Sequence, residues 1–113
     1  MTRKFIMVQE FLKAWERMSL TDDDLKELQT ELLRNPACGD LMQGTNGCRK
    51  MRISLEGRGK SGGARVIYVD FVMRETIYLL TAYPKSEKAN LTKEERNDIK
   101  KLVAELEREG KCI

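Results

Sequence analysis

The stretch Ala64–Tyr83, ARVIYVDFVMRETIYLLTAY, decides the fold. Val66, Ile67, Tyr68, Val69 and Phe71 are strong β-formers, so Ala64 to Met73 reads as one strand. Glu75 to Tyr83 holds Ile77, Tyr78, Leu79 and Leu80 in an unbroken apolar run, which suits a central strand covered on both faces. Met73-Arg74-Glu75 makes the turn between them. A strand buried on both sides needs apolar layers above and below it, and the flanking sequence has to supply them.

Upstream lies Gly44–Arg65, GTNGCRKMRISLEGRGKSGGAR, where basic residues and glycines crowd around a single carboxylate, Glu56. Asn46-Gly47 favours the positive backbone angles of a tight turn. A strand from Cys48 to Leu55 follows, and the side-chain period of two puts Lys50 and Arg52 on one face and Met51 and Ile53 on the other. Gly57 to Gly63 is then a long glycine-rich connection to the next strand. Gly57-Arg58-Gly59-Lys60-Ser61 resembles a nucleotide phosphate loop only in part, because Ser54 stands where the first glycine is needed and a strand, not a helix, comes after. It reads as a flexible basic loop able to touch a nucleic-acid backbone, or as a solvated turn.

Toward the amino terminus, Phe11, Leu12, Trp15 and Met18 recur at helical spacing, which makes Trp15 a packing residue rather than a base-stacking platform. Lys4 to Val8 reads equally as a short strand or as the lead-in to that helix. Thr21 with Asp24 forms a capping box, Leu25, Leu28, Leu32 and Leu33 give a second helix its stripe, and Asn35-Pro36 ends it. At the other end Thr92 and Glu95 form a capping box, and Ile99, Leu102, Val103 and Leu106 line one face of a helix closing near Gly110. The expectation is an α+β domain spanning residues 1–113: an amino-terminal helical hairpin and a carboxy-terminal helix packed on a small, mainly antiparallel sheet.

Composition narrows the chemistry. The 113 residues suit one domain, and 41% hydrophobic with 35% charged residues suits a globular fold. The net charge of +3 comes from 21 basic against 18 acidic residues, so the local basic concentration matters more than the sum. There is no histidine, which excludes histidine acid/base pairs and histidine-dependent serine triads. Cys38, Cys48 and Cys112 are odd in number and lack CxxC spacing, so no zinc set is expected, and no cofactor motif is present. The opening MTRKFIMVQEF is interrupted by charge too soon for a signal peptide, and no apolar run reaches membrane-spanning length, so no membrane partner and a cytoplasmic site of action are expected.

Lys50, Arg52, Arg65 and Lys85 lie on or beside neighbouring strands and could converge on one phosphate. Preorganised cations there offset the charge that builds when a ribose 2′-hydroxyl attacks phosphorus.

From Leu33 to Leu91 the motifs Asn35-Pro36, Gly39-Asp40, Gln43-Gly44-Thr45, Arg49-Lys50-Met51-Arg52, Gly59-Lys60-Ser61-Gly62-Gly63-Ala64-Arg65-Val66-Ile67-Tyr68, Tyr78-Leu79-Leu80 and Tyr83-Pro84-Lys85-Ser86-Glu87 closely resemble the HigB branch of the RelE/ParE toxin superfamily. That resemblance implies a type II toxin that cuts mRNA in the ribosomal A site without a metal and is neutralised by a cognate antitoxin, a HigA-like helix-turn-helix protein. It also implies that Lys50, Arg52, Arg65 and Lys85 are catalytic. Lys50 or Lys85 would be the general base, and Arg52 and Arg65 the phosphate holders. Arg49, Arg58 and Lys60 are the candidate RNA-binding residues beside them. The alternatives are a ParE-like inhibitor of DNA gyrase without catalysis, and a degenerate nucleic-acid-binding module.

Overall fold

The computed structural model describes residues 2–54, 63–88 and 90–109. Five strands form one sheet in the order β1-β5-β4-β3-β2: β1 (Lys4–Met7), β2 (Asp40–Leu41), β3 (Arg49–Ile53), β4 (Ala64–Phe71) and β5 (Thr76–Pro84). Three helices accompany them: α1 (Gln9–Arg17), α2 (Asp22–Arg34) and α3 (Lys93–Glu109). Every pairing is antiparallel except that of β1 with β5.

The sheet is covered on both faces. On one, Phe11, Ala14 and Trp15 of α1 and Leu28 and Leu32 of α2 pack on Met51, Val66, Tyr68, Ile77, Leu79 and Ala82. On the other, Ile99, Val103 and Leu106 of α3 pack on Ile67, Val69, Leu80 and Tyr83. Six consecutive residues from Ala64 to Val69 are buried, as a strand with two apolar neighbours requires.

The local signals act as their chemistry dictates. The backbone N–H of Asp24 donates to the Thr21 hydroxyl at 3.1 Å and that of Thr21 donates to the Asp24 carboxylate at 2.8 Å, so the capping box starts α2. Trp15 is buried, stacks on Phe11 at 5.2 Å, and donates its indole N–H to the Thr21 carbonyl at 3.1 Å, which ties the two helices together. Lys4 to Met7 resolves as a strand because it docks beside β5, with Val8 donating to Leu79 before α1 begins.

Two elements go beyond the sequence reading. The turn expected at 73–75 is a 3-10 turn over Val72–Arg74 closed by Glu75 at φ 51°, and the Arg74 guanidinium donates to the Leu106 and Glu107 carbonyls at the end of α3. Asp40–Leu41 forms a short edge strand on β3. The Gly57–Gly63 connection lies outside the described residues except for Gly63, and so do Cys112 and the end of the chain at Gly110.

Gly39 sits against Tyr68, and a Cβ there would stand 2.9 Å from Cε1 and 3.0 Å from the hydroxyl of that ring, and 3.0 Å from the Lys50 carbonyl. Gly39→Ala should therefore cost about 1–3 kcal/mol through overpacking, read as a lowered urea midpoint with unchanged helix content by circular dichroism.

Candidate active site

Strand register builds the site. Arg52 pairs with Arg65 across β3 and β4, and Arg65 pairs with Tyr83 across β4 and β5. Directly opposed residues point to the same face with Cβ atoms roughly 5 Å apart, so Arg52, Arg65 and Tyr83 make one transverse row. Lys50, paired with Ile67, stands in the next row. Because Ile67 belongs to the core under α3, this is the α3 face of the sheet.

A β-bulge brings Tyr83 into the row. The pairing passes from Ile67↔Thr81 to Tyr68↔Leu79, leaving Leu80 as the extra residue on β5. Leu79 faces α1 and α2, and without that extra residue the period of two would have sent Tyr83 to the same side. Lys85 follows after Pro84, its backbone N–H donating to the Gly63 carbonyl at 3.0 Å and the residue exposed. Lys85 is thereby held at the end of β4 that carries Arg65.

Arg65 is only 8% exposed. Among the described residues no ion pair includes it, whereas half-buried Arg3 is paired with Asp70 at 2.9 Å and half-buried Arg49 and Arg74 donate to backbone carbonyls. Burying a guanidinium without a carboxylate is unfavourable unless an anion comes to it. Arg52 is exposed, and Lys50 is half-buried with its ammonium donating to the Asn90 side-chain oxygen at 2.9 Å.

The structure sets Arg49 apart from the other cations. It pairs with Tyr68 on the opposite face, and its guanidinium donates to the carbonyls of Gly39 at 2.8 Å and Ala37 at 3.4 Å. Those contacts hold the 36–39 turn. Arg58 and Lys60 lie outside the described residues.

Sequence reasoning missed Tyr83, Lys88, Asn90 and Glu95. Lys88 stands 5.2 Å from the Tyr83 ring centroid and forms an ion pair with Glu95 of α3, while the Glu95 carboxylate also accepts from the Thr92 N–H at 2.9 Å. The Lys88 hydrogen bond first, and the Thr92 N–H second, hold the Glu95 carboxyl below its ordinary range. Their contribution to stability is complete above the usual glutamate pKa and is lost as pH falls through the lower folded value. Glu95→Gln should flatten the acid limb of stability as pH falls below the usual glutamate range, measured as the pH dependence of the urea midpoint.

A model of the family described as the RelE toxin of the RelE/RelB toxin–antitoxin system matches residues 3–110. The chain belongs to the RelE toxin family. Solved structures of E. coli RelE share the fold. A doubly substituted RelE in the free state matches with a TM-score of 0.57 at 18% identity over 79% of this chain and 90% of that one. RelE in the intact E. coli RelBE toxin–antitoxin complex matches with a TM-score of 0.53 at 18% identity, covering 74% and 96% of the two chains. A RelE variant bound to a RelB antitoxin peptide matches with a TM-score of 0.51 at 22% identity, covering 77% and 90%. No helix among the described residues is long and apolar enough to cross a membrane.

Proposed function

We propose that the chain is a HigB-branch toxin that cuts mRNA on the ribosome. One observation carries this reading: Arg65, buried and without a carboxylate partner among the described residues, lies between Arg52 and Tyr83 with Lys85 at the same end of the sheet. A scissile phosphodiester is the anion that such a site suits.

In the proposed reaction the 2′-hydroxyl attacks the adjacent phosphorus and gives its proton to Lys50 or Lys85 acting as the unprotonated amine. The bond from phosphorus to the 5′-oxygen breaks, that oxygen takes up a proton, and the upstream fragment ends in a 2′,3′-cyclic phosphate. Arg65 and Arg52 face the phosphate oxygens on which charge accumulates. The ribosome supplies the alignment of the substrate, and the reaction draws on no metal or cofactor. A cognate antitoxin of the HigA-like helix-turn-helix kind is the neutralising partner, and the cytoplasm, where mRNA is translated, is the place of action.

Mapping mRNA 5′ ends after brief induction tests the reading. Wild type should give cuts in phase with codons, and Arg65→Ala should give none. Growth arrest by wild type without phased cuts would refute it.

A further inference from the structure

In the central row of the site Tyr83 stands opposite Arg65, which no ion pair among the described residues includes. Tyr83 is 4% exposed, and its hydroxyl is the only buried side-chain polar atom among the described residues without a hydrogen bond. Buried tyrosine hydroxyls ordinarily find a partner, since leaving one unmade forfeits its hydration with nothing in return.

Tyr68, on the same sheet, shows the ordinary arrangement: its hydroxyl donates to the Pro36 carbonyl at 2.7 Å and accepts from the Gly39 N–H at 3.0 Å. Tyr83 has the bulk of a core residue and packs with Leu91, Ile99 and Val103, a task that phenylalanine would perform without the cost of the hydroxyl. The bulge at Leu80 aims that ring at the cationic face instead of the opposite one.

Resting on the reading proposed above, we infer that the Tyr83 hydroxyl is a phosphate-contacting group of this site, donating to a non-bridging oxygen of the phosphodiester that Arg65 holds. Burial pushes the Tyr83 phenol up from its ordinary range, more than the Arg65 charge pulls it down, so it keeps its proton and stays a donor. One guanidinium and one phenol on adjacent strands would then grip two oxygens of a single phosphate.

Tyr83→Phe is the test, because it keeps the ring and removes only the hydroxyl. The unfolding midpoint should hold or rise, since an unsatisfied buried group is lost. Single-turnover cleavage on programmed ribosomes should fall by roughly tenfold or more. The affinity for a 2′-deoxy-substituted trinucleotide, which cannot be cleaved, should weaken several-fold. If wild type cleaves and Tyr83→Phe cleaves at the same rate, the hydroxyl serves only a resident water and the inference is overturned. If wild type does not cleave, the nuclease reading falls, and the trinucleotide decides: weaker binding by Tyr83→Phe upholds an anion contact, while equal binding, or no binding by wild type, overturns it.

Discussion

Arg65→Ala should lower ribosome-dependent cleavage by on the order of 10²-fold or more, with ribosome binding retained. The size follows from position and environment. Arg65 is shielded from solvent at the centre of the cationic row, where its attraction for phosphate is screened less than that of a surface charge. Its interaction also grows as charge accumulates on the phosphorus oxygens, so its loss falls on the chemical step more than on binding. Arg65→Met, which retains the length of the stem, should lose cleavage to the same extent and keep its urea midpoint. Arg65→Lys should recover only part of the rate, because an ammonium cannot present two parallel donors to phosphate. Single-turnover kinetics with sedimentation of toxin on ribosomes would separate the two effects; equal losses of binding and cleavage would show Arg65 to be a docking residue instead.

Tyr68→Phe should destabilise the fold by roughly 2–6 kcal/mol, from two groups left unsatisfied at about 1–3 kcal/mol each. The Tyr68 ring is fully buried, and its hydroxyl joins the Pro36 carbonyl to the Gly39 N–H. Burial has pushed that phenol up to about 12, so the bond to Pro36 persists across the usual range of pH. The turn it fastens also receives Arg49 through the Gly39 carbonyl. Chemical denaturation should therefore show a large drop for Tyr68→Phe and none for Tyr83→Phe, although the substitution is chemically the same in both.

The sequence made the layers legible because three helices and two long strands carried strong periodic or capping signals. Thr21 with Asp24, Thr92 with Glu95, and the run Val66–Val69 each depend on residues close together in the chain. The cationic face was legible for a related reason: the alternation of Lys50, Met51, Arg52 and Ile53 assigns faces before any partner strand is known. Hidden from that view were features set by contacts distant in sequence. Lys50 meets Asn90 across a separation of 40 residues in the chain. Arg49 falls on the far face by the same alternation, but its hold on the Gly39 and Ala37 carbonyls depends on a turn distant in sequence. Nothing in the string Leu79-Leu80-Thr81 announces that one residue will be squeezed out of the ladder.

That squeezed-out residue sets a rule for how the segment can vary among descendants. Between Leu80 and Lys85 the chain is a counting device: exchanging one apolar residue for another leaves every side chain on its side, but a single codon gained or lost there would transpose inside and outside for all that follow. The segment's length should thus be far more constrained than its spelling.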